Sequence, residues 1–450
     1  MARRAVASLV ALAGLLMAGQ PVSAEPLDRP TSALAGGADA EVFAAWPITW
    51  TELGPSGLIA RAITTEATCP EVRFDWHVQP MQVRAEPTPP DFPVLVCEAA
   101  VPPSTHLAWI GGRRIPLFRP NPRRIVVIGD AGCRIEGSKV QACNDPSQWP
   151  FAAIARRAAA WRPDLVIHVG DYIYREDPCP PDNEGCAGSP YGHNWAALQA
   201  DLFTPASPLL RAAPWVFVRG NHETCARGGE GWFRFLYPLP PPPGCVDYTE
   251  PYRISLGHQD LLILDSAITD DSAVPPEQVA AFMAQFPVLR QLARRESWLV
   301  THKPLYAFGH AGFHNGEEQL FIDQEVLQAA AENDFPAAIR LFLGGHIHLF
   351  ETLSFGRARP PQMVVGNSGT ELAPAVETPL AGLEIAGLEV ASGLNVDRFG
   401  FVTMQRVLGV WTATLRGVRG VPLVGCVLGA GKLICRRTPF GSADEPEGND

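Results

Sequence analysis

Six short runs of consecutive apolar residues punctuate the middle of the chain, and each ends in a polar or glycine-bearing cluster. They are RRIVVIGD from Arg123, LVIHVGD from Leu165, PWVFVRGNHE from Pro214, QDLLILDS from Gln259, SWLVTH from Ser297 and IRLFLGGHIH from Ile339. Runs this short, without polar alternation, read as strands buried on both faces. Between the first two, Phe151, Ile154, Ala155, Ala158 and Trp161 recur at helical spacing after a start signal at Ser147 and Pro150, which predicts a helix packed by one stripe. A second predicted helix carries Leu320, Phe321, Val326 and Leu327 and stops near Asn333 and Asp334; the stretch ahead of Ser297 reads as a helix broken at Pro287. Strands alternating with helices predict an α/β fold, layered around a largely buried sheet, with ligands beyond the carboxyl ends of the strands.

The flanks have a different rhythm. From Glu25 to about residue 120, proline-rich connections separate strand-like runs such as VRFDWHV, FPVLVCEAAV and HLAWIGGRRIPLF, which predicts a small β-rich module at 25–120. The catalytic unit is expected at 121–440, closing with antiparallel runs such as FGFVTMQRV and VWTATLRGV, and the polar tail 441–450 reads as disordered. Residues 1–24 open with Arg3 and Arg4, continue apolar and end on Val22-Ser23-Ala24, the pattern of a cleavable secretory signal. Export to the periplasm or outside the cell is therefore expected, with no membrane attachment after cleavage.

The ten cysteines all follow that segment, and an even number in an exported chain reads as up to five disulfides. Neighbour pairing is the simplest arrangement, with Cys69 to Cys97 and Cys426 to Cys435 among the staples, although sequence alone does not fix connectivity. The formal charge is −11, and loss of Arg3 and Arg4 takes it to −13. That argues against general binding to nucleic acid or an anionic surface and leaves phosphate recognition to local groups.

Asp130, Asp171, Asn221, His302 and His346 all follow strand runs at one predicted rim. Carboxylates, an amide oxygen and imidazoles form a ligand set for hard or borderline cations rather than a thiolate site. In order and chemistry, GDAG at Gly129, GDYIY at Gly170, GNHE at Gly220, LVTH ending at His302 and GHIH at Gly345 resemble the calcineurin-like metallophosphoesterases, most closely their purple acid phosphatase branch. The wider superfamily has Asp-x-His in the first block. Here Gly132 takes the histidine's place, and Tyr174 stands three residues past Asp171, where the purple branch has its replacement ligand. Leu299 replaces the usual valine of the fourth block.

The resemblance implies a layered β-sandwich flanked by helices (α/β/β/α) and, carried over residue by residue, a dinuclear centre. Asp130, Tyr174 and His348 would hold Fe(3+), Asn221, His302 and His346 a divalent ion (Fe, Zn or Mn), and Asp171 would bridge. His222 would contact phosphate and act as general acid, with a metal-bound hydroxide as nucleophile and Glu223 orienting His222 or a neighbouring loop. Read from the residues alone, Tyr172 alternates with Tyr174 and either could be core, while His168, inside its strand, reads as core. His193, Asn194 and His310 are candidate substrate contacts. The implied activity is hydrolysis of small-molecule phosphate monoesters. Phosphodiester or nucleotide hydrolysis on the same centre is the alternative, and a non-catalytic metal- or phosphate-binding module is disfavoured because every ligand and His222 are present.

Overall fold

The computed structural model of the chain describes residues 47–294, 296–331, 335–429 and 431–439. The expected signal segment 1–24 and tail 441–450 lie outside the described residues.

All six apolar runs form strands, and they divide between two sheets. The first sheet has eleven strands among the described residues, in the spatial order Lys432–Arg437, Pro422–Gly429, Val410–Gly417, Gly400–Val407, Arg124–Ile128, Leu165–His168, Trp215–Phe217, Ile48–Gly54, Gly57–Thr64, Leu95–Ala100 and Gln82–Ala85. Its centre is parallel, with Ile125 opposite Leu165 and Val166 opposite Trp215. The second sheet has seven, in the order Tyr252–Ser255, Asp260–Ile263, Ser297–Val300, Ile339–Gly344, Gln362–Val365, Phe350–Ser354 and Ser392–Val396.

Strand alternation assigns each side chain to a layer. Ile125, Val127, Leu165, Ile167 and Val216 of the first sheet meet Leu261, Ile263, Trp298, Val300, Leu341 and Leu343 of the second in one buried core. The intervening positions Val126, Ile128, Val166, Trp215 and Phe217 face outward onto Phe151, Ile154, Ala155 and Ala158 of the helix Phe151–Ala160. On the far side, Leu262, Leu299 and Phe342 pack on Phe282, Phe286 and Leu289 of the helix Pro276–Leu292 and on Val326 and Leu327 of the helix Glu325–Ala331. The layers are helix, sheet, sheet, helix, as the resemblance implies.

Two expected helices differ from the structure. Pro287 does not break its helix, which continues to Leu292. Proline removes one backbone donor, and buried Phe286 and Leu289 on either side of it hold the turn against the core. Leu320 and Phe321 belong not to a helix but to the strand Glu317–Asp323, which pairs with Ala307–His314. The turn between these strands is Asn315-Gly316, both at positive φ, the two-residue connection that favours hairpins. The helix beyond begins at Glu325; Asn333 and Asp334 lie outside the described residues.

The N-terminal strands join the first sheet through Glu52 opposite Trp215. Arg61 and Arg84, both buried, donate to the carbonyls of Phe233, Arg234, Phe235, Tyr237 and Leu239. All ten cysteines pair, each with its sequence neighbour: Cys69 with Cys97, Cys133 with Cys143, Cys179 with Cys186, Cys225 with Cys245 and Cys426 with Cys435.

Candidate metal centre

The carboxyl ends of strands from both sheets meet at one rim, and five of the predicted residues stand two to four positions past a strand: Asp130, Asp171, Asn221, His302 and His346. Three of these lie in the left-handed region, Asp130 at φ 53°, Asp171 at φ 60° and His346 at φ 72°. Each such residue costs on the order of 1–3 kcal/mol, and such strain collects at functional sites. Close approach of backbone is a second local demand. A Cβ on Gly220 would lie 2.0 Å from Asp171 Oδ1, so glycine at the head of GNHE lets Asp171 reach the His222 amide, which donates to that oxygen at 3.0 Å.

Two subsets of candidate ligand atoms converge. The Tyr174 hydroxyl lies 3.0 Å from Asp130 Oδ1, 2.8 Å from Asp171 Oδ2 and 3.0 Å from His348 Nε2. His302 Nε2 lies 2.9 Å from Asn221 Oδ1 and 3.1 Å from Asp171 Oδ2, so Asp171 belongs to both. The outer nitrogens are taken: His302 Nδ1 is 2.9 Å from the Val169 carbonyl and His348 Nδ1 is 3.0 Å from that of Glu371. With Nδ1 donating to a carbonyl, a neutral imidazole presents a lone pair at Nε2. Nε2 of each ring is thereby turned toward the carboxylate, amide and phenol oxygens of the cluster, the direction a metal ligand needs.

The electrostatics agree. Burial pushes the Asp130 carboxyl up to about 7 against the pull of His302, with the charge of Asp171 adding to the rise. Burial also raises Asp171, yet His302 and His222 hold it well below the usual carboxylate range. His302 is pushed up to about 9: burial opposes protonation, and Asp171 outweighs it. Burial drives the Tyr174 phenol well above its ordinary value, with Asp130 and Asp171 adding to the rise. Among the described residues, two groups have the spacing to hold a metal ion: Asp171, His302 and His346, and Asp271, Asp323 and His346. They share His346, and the first joins the Tyr174 cluster through Asp171, which supports a dinuclear site.

Tyr172 and Tyr174 part company. Tyr172 is fully buried and donates to the Val218 carbonyl at 2.7 Å in the core, beside His168. Burial lowers His168 to about 3 and keeps it neutral. Gly132 explains the room for Tyr174, because a Cβ there would lie 2.9 Å from Tyr174 Cδ2 and 3.0 Å from its backbone nitrogen.

His222 stands at the edge of this cluster, with Nε2 3.8 Å from Asp171 Oδ2 and Nδ1 2.6 Å from Glu176 Oε1. Glu223 does not touch that ring; it accepts the amides of Tyr172 at 2.8 Å and Gly220 at 3.1 Å, fixing two loops to each other. His193 Nε2 lies 3.4 Å from Glu176 Oε2, which brings it to the same edge. Asn194 is occupied elsewhere: its Oδ1 caps the helix Trp195–Leu198 by accepting from the Ala197 amide at 3.0 Å, and its Nδ2 donates to Tyr191. His310 pairs with Glu318 at 2.8 Å across the hairpin.

Sequence reasoning passed over several residues that build this edge. Glu176 holds His222, Arg227 holds Glu176 through two nitrogens and reaches Glu136 at 2.9 Å, and Arg227 Nη2 lies 2.9 Å from His222 Nδ1. Fully buried Asp201 accepts the Tyr174 amide at 2.8 Å and the Cys133 amide at 3.0 Å, and pairs with Arg175 at 2.6 Å. The available signal was position. Glu176 follows Tyr174 by two, Arg227 follows His222 by five, and Asp201 is a lone acid in the apolar stretch WAALQADLF.

A family model described as calcineurin-like phosphoesterase matches residues 123–350. No curated protein matches the chain in sequence. Among solved structures, a purple acid phosphatase isolated from yellow lupin (Lupinus luteus) seeds superposes with a TM-score of 0.54 at 13% identity, covering 87% of this chain and 74% of that one. PhoD superposes with a TM-score of 0.56 at 11% identity, covering 88% of this chain and 93% of that one. At these identities the likeness speaks for the fold.

Proposed function

The chain belongs to the calcineurin-like phosphoesterases, and from that premise we propose that it is an exported phosphatase of the purple acid type that hydrolyses phosphate monoesters. One observation carries the reading: the buried Tyr174 oxygen lies within 3.0 Å of Asp130, Asp171 and His348 atoms, in space that Gly132 leaves open. A phenol that burial pushes above its ordinary value gives up its proton only to a strong, hard Lewis acid, which favours ferric iron.

In this reading Asp130, Tyr174 and His348 would hold Fe(3+), and Asn221, His302 and His346 a divalent Fe, Zn or Mn, with Asp171 shared. The two ions supply charge neutralisation for a phosphoryl group and lower the pKa of a water molecule. The chain's own part is proton handling and orientation. Glu176 accepts the Nδ1 proton of His222, which leaves Nε2 facing the centre to hold a proton and pass it to the departing alcohol. Arg227, itself held by Glu136, braces Glu176, so the ring keeps this direction. Export is supported by the five disulfides, which persist in oxidising compartments.

The test compares release of nitrophenol from mono-nitrophenyl and bis-nitrophenyl phosphate, with glycerol phosphate as a substrate whose leaving group needs a proton. The monoester should be turned over faster, and His222→Ala should lower glycerol phosphate turnover by ~10²–10⁴-fold, with a smaller loss on the nitrophenyl ester. A faster diester would replace this reading by phosphodiesterase or nucleotidase activity on the same centre.

A further inference from the structure

The imidazoles that face the centre differ in what holds their outer nitrogen. His302 and His348 are tethered to the backbone carbonyls of Val169 and Glu371. His346 instead has Nε2 3.3 Å from Asp271 Oδ1. That carboxylate is built into place: Oδ1 accepts from Lys303 Nζ at 2.5 Å and from Gln324 Nε2 at 2.6 Å. Lys303 is itself 2% exposed and also donates to the Thr269 carbonyl at 2.6 Å. Asp323, 2% exposed, lies in the same corner, with Oδ2 lacking a hydrogen-bond partner.

We propose that Asp271 is a positioning residue for the divalent half of the centre: clamped by Lys303 and Gln324, it accepts the Nε2 proton of His346 and aims the opposite ring nitrogen inward. The inference rests on the dinuclear reading above. A carboxylate on the outer N–H of a ligating histidine fixes its tautomer and raises its basicity. The spacing of Asp271, Asp323 and His346 would also suit an ion of their own. The buried Lys303 ammonium argues against that, because it already lies on Asp271 Oδ1 at 2.5 Å and a metal cation there would meet a like charge. Lys303 follows His302 directly in the chain, so the clamp and a ligand sit on one loop.

The test uses the full chain loaded with iron and zinc as probes, in wild type, Asp271→Ala and Asp271→Asn. Zinc affinity is read by competition with a metallochromic chelator, metal content by elemental analysis and folding by near-ultraviolet circular dichroism. Asp271→Ala should bind zinc ~10–100-fold more weakly with iron content unchanged. Asp271→Asn keeps an acceptor oxygen and should fall between the two, and it carries the test alone if the alanine variant does not fold. Equal zinc affinity in wild type and variants overturns the inference while leaving the dinuclear reading intact. A third ion per chain, lost in Asp271→Ala, overturns it in favour of a separate site. A wild type that retains only one ion per chain, whether offered zinc, manganese or ferrous iron beside the ferric ion, overturns both readings together.

Discussion

Gly132 and Tyr174 occupy one small volume, and neither makes sense without the other. A side chain at 132 would collide with the ring of Tyr174, and the ring brings its oxygen onto Asp130, Asp171 and His348. If that oxygen binds ferric iron, Tyr174→Phe should abolish visible charge-transfer absorbance in the iron-loaded protein while leaving the fold intact. An absorption spectrum that survives the substitution would remove Tyr174 from the ligand set. The motif residues were legible in the sequence because each sits where an apolar run stops, so strand position and chemistry coincide. Glu176, Arg227, Asp201 and Asp271 were not, because each works through a neighbour rather than at a strand end. Nothing in a linear pattern says which acid in YRED turns toward an imidazole. Asn194 illustrates the converse: a polar residue at a suggestive place whose bonds are consumed by a helix terminus.

Whole elements were legible where burial alone decides them. The six strands and the helix Phe151–Ala160 followed from apolar runs and spacing, since both faces of a central strand must be dry. The hairpin Ala307–His314 with Glu317–Asp323 was misread because Leu320 and Phe321 sit near the apolar pair Val326 and Leu327, although Asn315-Gly316 marks the turn. The strand Phe350–Ser354 carries a different kind of tension. Glu351 is 1% exposed, accepts only the Phe308 amide at 3.2 Å, and has Oε2 without a partner. Burial raises its carboxyl from 4.5 to about 8. The folded state therefore binds a proton that the unfolded state releases, so this group's stabilisation is whole below pH 4.5 and is lost as pH rises through about 8. Each unit of difference corresponds to ~1.4 kcal/mol. Urea unfolding at pH 5 and pH 9 should show a smaller loss of stability in Glu351→Gln than in wild type, by on the order of a few kcal/mol. Parallel pH profiles would mean that the carboxyl ionises without cost.

Across the molecule, the two sheets divide the proposed centre between them. The first carries Asp130, Asp171, Tyr174, Asn221 and His222; the second carries His302, His346 and His348, and their packing sets the distance between the halves. Three disulfides, Cys133 to Cys143, Cys179 to Cys186 and Cys225 to Cys245, close the loops that carry Glu136, follow Tyr174 and carry Arg227. Neighbour pairing was the simplest expectation from the sequence and the structure has it, although ten cysteines admit many connectivities and only the folded loops select one.

The family match begins at residue 123, yet the sheet it belongs to runs on into Ile48–Gly54, Gly57–Thr64 and Leu95–Ala100. A chain trimmed to begin at Arg123 would uncover Trp215–Phe217 as a new edge and strip Arg61 and Arg84 from the carbonyls they occupy. An open edge of apolar residues is a template for pairing with other chains. Sedimentation of the trimmed chain should reveal self-association where the full chain sediments as a discrete species, and a well-behaved trimmed chain would show the edge to be harmless. The first strands thus guard the sheet against its own copies.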